Sequence, residues 1–130
     1  MMVFVKDLMS THLIYGSVDD SLLDIIGKMV RNNVGCVVIM QNGIPEGIVT
    51  ERDIVRNINA ERVCNVDQKI GDMMSTPLIT TTENENPVFA AETMIQKGVK
   101  KLVVVKENQV IGIITQTDIV KNLRRLVNIP

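Results

Sequence analysis

Sliding the sequence against itself by 65 positions brings it into register without a gap from Asp7 to Val120. Asp7-Leu8-Met9-Ser10-Thr11 falls on Asp72-Met73-Met74-Ser75-Thr76, and Leu13-Ile14 falls on Leu78-Ile79. Further on, Gly47-Ile48-Val49-Thr50 falls on Gly112-Ile113-Ile114-Thr115, and Asp53-Ile54-Val55 on Asp118-Ile119-Val120. A repeat of this period restricts the chain to two copies of one supersecondary unit, neither of which closes a core alone.

Each copy reads as the same order of elements. A short apolar strand (Leu13 to Tyr15; Leu78 to Thr80) runs into a polar turn, Ser17-Val18-Asp19-Asp20 or Thr82-Glu83-Asn84-Glu85. A helix follows. Leu22, Ile25, Ile26 and Met29 take the spacing of one buried face, as do Val88, Ala91, Met94 and Ile95. Asp20 or Asn86 is the expected cap, and Pro87 stands where the first helical residue belongs. Two strands come next, Cys36 to Met40 and Gly47 to Thr50, joined through Gln41-Asn42-Gly43, a hairpin signal. Their counterparts, Leu102 to Val105 and Ile111 to Thr115, flank Glu107-Asn108. A closing helix is expected from about Arg52 to Asn59, and from about Thr117 to Val127. The fold class is therefore α/β of the α+β kind, with two β-α-β-β-α repeats. Residues 1–60 and 70–130 form the copies, and a solvated linker at 61–69 joins them. A three-stranded sheet with helices on one side leaves its other face open. The expectation is that the halves cover each other about a pseudo-two-fold axis, with paired clefts at the ends of matching strands.

Composition narrows the function. The chain has 130 residues, of which 45% are hydrophobic and 22% charged, an ordinary globular balance. The formal net charge is -1, with no Trp, one Tyr and two Phe. That gives neither the basic footprint of a phosphate-backbone binder nor the stacking platform of a single-strand binder. The core must be aliphatic. Two cysteines, Cys36 and Cys64, match no metal-ligand spacing and point to a reducing compartment. The first residues carry an acid early and lack the apolar stretch of a secretory leader. No apolar run approaches the ~20 residues that span a bilayer. The expectation is a cytoplasmic protein without a membrane partner.

His12, the single histidine, would have to serve any hydrolytic triad, and neither cysteine lies near it in sequence. There is no H-x-x-x-H, no C-x-x-C, no phosphate-binding G-x-x-x-x-G-K-[ST] and no G-x-G-x-x-G. The chain reads as a non-enzyme, with no catalytic residue, metal or cofactor assigned.

The strongest local pattern is Gly-Ile-hydrophobic-Thr-x-x-Asp-Ile-Val, at Gly47 to Val55 and again at Gly112 to Val120. One reading is a helix start, with Thr at the N-cap and an acid at the third helical position. The other is a binding spot: Thr hydroxyl, first helical amides and carboxylate face one place. Amides suit a phosphate, and a carboxylate suits a pair of ribose hydroxyls. A second feature is an asymmetry, since Val34-Gly35-Cys36-Val37 lies opposite Val99-Lys100-Lys101-Leu102. The lysines are either a solvated entry to a strand or ammonium groups placed for phosphates. Successive strand residues point to opposite faces, so the two need not serve the same place.

These residues resemble the tandem cystathionine-β-synthase (CBS) domain pair, or Bateman module, over nearly the whole chain. The resemblance rests on Val5-Lys6-Asp7-Leu8-Met9-Ser10, its partner Ile70-Gly71-Asp72-Met73-Met74-Ser75, both Gly-to-Asp motifs, and Val103-Val104-Val105. It implies adenosine-containing ligands (AMP, ADP, ATP or S-adenosylmethionine) bound between the copies. By that analogy Asp53 and Asp118 hold the ribose hydroxyls, and Thr50 and Thr115 lie by ribose and phosphate. Ile14 and Ile79 border adenine, and Lys100 and Lys101 contact phosphates. The Thr50/Asp53 cleft would take Ile79 and Lys100, and the Thr115/Asp118 cleft would take Ile14, Gly35 and Cys36. Gly35-Cys36 departs from the family's basic or small-polar pair, and Val37-Val38 and Leu102-Val103 lack its usual proline. The implied function is regulation. A nucleotide's differential affinity for two arrangements would be passed to an unidentified effector protein, with a homodimer formed through apolar helical faces. The alternatives are an S-adenosylmethionine sensor, or nucleic-acid binding through Lys121, Arg124 and Arg125.

Overall fold

The structure, a computed structural model, describes residues 2–58 and 67–127. In chain order its elements are α1 (Val5–Leu8), β1 (Tyr15–Ser17), α2 (Leu22–Asn32), β2 (Cys36–Gln41), β3 (Ile44–Thr50) and α3 (Glu51–Arg56). After a 3-10 turn at Ile70–Asp72 come β4 (Thr80–Thr82), α4 (Pro87–Lys97), β5 (Lys101–Lys106), β6 (Gln109–Thr115), α5 (Gln116–Lys121) and α6 (Leu123–Leu126). The β-α-β-β-α order thus appears twice. Each copy has a three-stranded sheet, β1-β2-β3 or β4-β5-β6. The first pair of strands is parallel and the second antiparallel, in matching register.

Contacts divide the chain into two units whose limits are not those of the repeats. One unit is Ile14–Leu78, and the other joins Met1–Leu13 to Ile79–Pro130. We call them the Asp53 unit and the Asp118 unit. Each repeat therefore lends its leading segment to the core of the other. In the Asp118 unit, Val5 N–H donates to Glu85 O (3.0 Å) and Lys6 N–H to Glu83 O (2.9 Å). In the Asp53 unit, Ile70 N–H donates to Asp20 O (2.8 Å) and Gly71 N–H to Val18 O (3.0 Å). Each pair maps on the other under the 65-residue offset.

The reason for the exchange is hydrophobic. Val5 and Leu8 join Ala90, Met94, Leu102, Val104 and Ile114 in one core cluster. Ile70, with Met73 packed beside it, joins Leu22, Ile25, Met29, Val37, Ile39 and Val49 in the other. Val5 and Ile70 are fully buried, and burying such a side chain contributes about 1.5–3 kcal/mol. The segment ends on a two-bond bridge, Ser10 with Ile113 and Ser75 with Ile48. There the glycine of the strand lies under a methionine. A Cβ at Gly47 would stand 2.7 Å from Met74 Sδ, and one at Gly112 would stand 2.6 Å from Met9 Sδ.

Several boundaries depart from the sequence reading. The first strands are Tyr15–Ser17 and Thr80–Thr82, not Leu13 to Tyr15 and Leu78 to Thr80. The parallel partners Val38–Met40 and Val103–Val105 set the ladder there, and Leu13-Ile14 and Leu78-Ile79 lead into it half-buried. Ser21, not Asp20, caps α2, its Oγ accepting from Asp24 N–H at 3.1 Å. Asp20 turns back to accept from Ser17 N–H at 2.9 Å. Asn86 caps α4 as expected, with Pro87 in the first turn. The buried face of α4 is Pro87, Ala90 and Met94, while Val88 and Ile95 are exposed. They are equivalent to the exposed Leu23 and Val30 of α2, so repeat register, not apolarity, gives the phase.

Both hairpins turn through two residues with positive φ, Asn42-Gly43 and Glu107-Asn108, the requirement of a type I′ turn. The second closing helix is broken at Asn122, whose side-chain N–H donates to Asp118 O (2.7 Å) and competes with the helical ladder. Asn57 does the same to Asp53 O (2.8 Å) at the end of α3. Of the linker expected at 61–69, residues 61–66 lie outside the described residues, as do Asn59 and Cys64. Gln68 O accepts from Leu22 N–H at 2.9 Å, so its end is tied to the Asp53 unit.

Candidate functional site

In the Asp118 unit, β6 ends at Thr115, which caps α5 with φ -118 and ψ 161. Asp118 Oδ2 accepts from Thr115 N–H (2.8 Å) and from Thr115 Oγ1–H (2.9 Å), and Thr115 Oγ1 accepts from Asp118 N–H (3.1 Å). The capping reading of Thr-x-x-Asp is therefore realised. It does not use up the carboxylate, because among the described residues no group donates to Asp118 Oδ1, and Asp118 is half-buried. Lys101 is the cross-strand partner of Thr115, and cross-strand partners share a face. That face is opposite the one on which Leu102, Val104 and Ile114 meet α4. Lys100 is exposed, and its carbonyl accepts from Gln116 N–H at 2.8 Å. Among the described residues neither lysine has an ion-pair partner.

The Asp53 unit repeats the cap with one difference. Asp53 Oδ2 accepts from Thr50 N–H (2.8 Å) and from Thr50 Oγ1–H (3.2 Å). Its second oxygen, Oδ1, accepts from Ser75 Oγ–H at 2.7 Å. Asp53 is 7% exposed, the single buried charged side chain among the described residues. Three donors and burial leave this carboxylate satisfied by the protein. The equivalent serine, Ser10, instead accepts from His12 N–H at 3.2 Å. Cys36 is the cross-strand partner of Thr50, and Gly35 O accepts from Glu51 N–H at 3.1 Å. No cation stands where Lys100 and Lys101 stand in the other copy.

The remaining site residues from the sequence fall at the same strand ends. Ile14 O accepts from Val38 N–H (2.9 Å) and Ile79 O from Val103 N–H (3.1 Å). Both isoleucines are half-buried against the core of their own unit. Ile14, Gly35, Cys36, Thr50 and Asp53 thus share one end of one sheet. Ile79, Lys100, Lys101, Thr115 and Asp118 share the matching end of the other. The picture of helix-start amides open to a phosphate is narrowed. Gln116 N–H and Asp118 N–H bond Lys100 O and Thr115 Oγ1, and Glu51 N–H and Asp53 N–H bond Gly35 O and Thr50 Oγ1. Among the described residues the second amide of each helix, Arg52 N–H or Thr117 N–H, has no such bond, so one amide remains for an anion beside any side-chain cation. The sequence reading gave Ser75 no role. Its signal was the repeated Asp-x-Met-Ser stretch, which follows neither a helical nor a strand period.

Among the described residues, no three His, Cys, Asp or Glu side chains gather as a metal site. No helix among them is long and apolar enough to cross a membrane. The chain is similar to an uncharacterized protein of Methanopyrus kandleri, 35% identical over 122 residues, covering 92% of this chain and 62% of that one. The chain thus spans under two thirds of that relative's length. A solved CBS-domain containing protein from Agrobacterium tumefaciens superposes with TM-score 0.82 at 25% identity, covering 93% of each chain. A solved CBS domain pair in complex with 5′-methylthioadenosine and S-adenosyl-L-methionine superposes with TM-score 0.83 at 24% identity, covering 95% of this chain and 97% of that one. The CBS domain family model matches residues 5–60 and 70–125, one match on each copy of the repeat. With the doubled β-α-β-β-α trace and the Thr-x-x-Asp strand ends in both copies, the chain belongs to the CBS-domain family.

Proposed function

We propose that this chain is a sensor that holds an adenosine-containing ligand at a strand end and passes its occupancy to a partner protein. CBS pair proteins are regulatory ligand-binding modules, and the finer reading rests on Asp118. A carboxylate fixed through one oxygen, with the other oxygen unengaged, matches the two hydroxyls of a ribose. In place of the crossed pairing that the resemblance implied, we take the residues of one strand end together: Thr115 and Asp118 would hold the sugar, Ile79 would border the base, and Lys100 and Lys101 would meet phosphates. Thr50, Asp53, Ile14, Gly35 and Cys36 repeat the arrangement without the cations. That one solved pair of the same fold holds two adenosine compounds supports this ligand class over others. Regulation follows if the ligand binds one arrangement of the protein more tightly than another. No residue is assigned to catalysis. Each unit also leaves apolar helical side chains exposed, Leu23 and Val30 on α2, and Val88, Phe89 and Ile95 on α4. We assign them to pairing with a second copy, and Ile95→Glu should convert a dimer to a monomer in light scattering.

A thermal-shift screen of AMP, ADP, ATP, NAD and S-adenosylmethionine tests the ligand class. A ligand at about a hundredfold its Kd adds ~2.7 kcal/mol of stability through mass action. At least one should raise the melting point by several degrees, and no shift with any of them refutes the reading.

A further inference from the structure

We infer that the two Thr-x-x-Asp constellations have separate jobs: Asp118 takes a 5′-phosphorylated nucleoside, and Asp53 is an internal latch. This rests on the adenosine-ligand reading above and divides it between the copies. Three observations carry the division. The first is the state of the carboxylates. Asp53 Oδ1 accepts from Ser75 Oγ–H at 2.7 Å and Oδ2 accepts twice from Thr50, whereas nothing described donates to Asp118 Oδ1. A ribose at Asp53 would have to displace a short hydroxyl bond to a buried charge, and hydrogen bonds to charged groups are the stronger ones.

The second is what Ser75 belongs to. It closes the segment that leads into the second repeat and bridges Ile48 through two backbone bonds, at 3.0 and 2.9 Å. Next to it, Thr76 Oγ1–H donates to Glu46 O at 2.8 Å. The Asp53–Ser75 bond therefore ties α3 to this segment and to β3 at one point. In the Asp118 unit Ser10 makes the equivalent bridge to Ile113, at 2.8 and 2.9 Å, but its hydroxyl accepts from His12 N–H and makes no bond to Asp118.

The third is charge. Lys101 pairs with Thr115 across the strands, and Lys100 precedes it, both without an ion-pair partner among the described residues. The same positions beside Thr50 hold Cys36 and Gly35. A phosphate at the Asp118 strand end therefore meets two strand-end lysines, whereas at the Asp53 strand end the cation is Arg52, exposed on the first turn of α3 and not on the strand.

Calorimetric titration of the full chain with AMP tests this, run with Asp118→Asn and Ser75→Ala. Asn keeps an acceptor for Thr115 N–H, so the first variant preserves the cap while removing the second carboxylate oxygen. The expected result is one AMP per chain. Asp118→Asn should weaken AMP at least about tenfold. Ser75→Ala should leave AMP affinity within about twofold and lower the melting temperature, because it cuts the latch. Two equivalent AMP sites per chain, full affinity in Asp118→Asn, or a tenfold loss in Ser75→Ala would each overturn the division while leaving the adenosine reading in place. A wild-type chain that binds none of AMP, ADP, ATP, NAD and S-adenosylmethionine would overturn both, and one that binds S-adenosylmethionine but not AMP would overturn the division alone.

Discussion

Gly47→Ala is the sharpest probe of the exchanged segment. An alanine Cβ at this position would stand 2.7 Å from Ser75 O and 2.7 Å from Met74 Sδ, where ordinary contact begins near 3.4 Å. The methionine can swing away. The carbonyl cannot, because it accepts from Ile48 N–H at 3.0 Å, Ser75 N–H donates back to Ile48 O at 2.9 Å, and Ser75 Oγ–H is bound to Asp53. Relief needs a backbone displacement of roughly 0.7 Å, the gap between those two distances. Overpacking of this kind costs about 1–3 kcal/mol, and weakening one or two hydrogen bonds adds ~0.5–1.5 kcal/mol each. The sum is about 1.5–6 kcal/mol. A chain of this size loses ~4 °C per kcal/mol, so the melting point should fall by roughly 6–24 °C. Gly43→Ala is the control. Nothing lies within 4 Å of its Cβ, and only its φ of +77 opposes the change, a penalty of ~1–2 kcal/mol. Melting followed by circular dichroism gives both numbers. A Gly47→Ala protein that melts within ~2 °C of wild type, or above Gly43→Ala, would refute the claim that the segment is pinned at this glycine.

Three further outcomes follow from the same geometry. In Gly27→Ala the nearest atom to the new Cβ is the mobile end of Arg31, at 2.8 Å. Removing a mid-helix glycine should therefore raise stability by ~0.5–1 kcal/mol in urea titration, and a loss would show the backbone of α2 to be tighter than its side-chain contacts indicate. Ser21→Ala should cost about 1 kcal/mol by removing the hydroxyl that caps Asp24 N–H, while Ser21→Gly should cost only a few tenths. Equal losses would assign the effect to the bridge between Ser21 and Lys69 instead. Leu22→Ala should cost ~2–5 kcal/mol, because Leu22 is fully buried. Its neighbour Leu23, 56% exposed, should tolerate alanine within ~0.5 kcal/mol, and similar values for the two would put the phase of α2 in error.

The elements were legible because each is set by local signals that the repeat states twice. The hairpins came from Asn42-Gly43 and Glu107-Asn108, and the helices from apolar spacing read beside Asn86 and Pro87. Where the reading slipped, a partner distant in sequence was in control. The spacing of Val88, Ala91, Met94 and Ile95 misplaces the phase of α4, because Val88 and Ile95 are apolar yet exposed, and periodicity reports apolarity and not which face meets the sheet. The first strands moved by two residues because a three-residue parallel strand has little pattern of its own, and β2 and β5 set its register. The exchange of leading segments had no local signal at all. Val5 and Ile70 are single apolar residues in short turns, and their burial depends on cores built by residues of the other repeat.

The candidate site shows the same boundary at higher resolution. Thr50-x-x-Asp53 and Thr115-x-x-Asp118 are the same local sequence, and they make the same cap to within a few tenths of an ångström. Spacing could not separate a helix cap from a binding carboxylate, because one oxygen of the side chain makes the cap and the cap does not fix the other. What becomes of that second oxygen depends on a hydroxyl 22 residues away in one copy, and on a serine turned toward His12 in the other. The lysine pair was visible as an asymmetry, yet its meaning required the register that sets Lys101 beside Thr115 and Cys36 beside Thr50. Duplication supplies two copies of a motif with identical local physics. It is the third element, packed against each copy from far along the chain, that leaves one carboxylate open and closes the other.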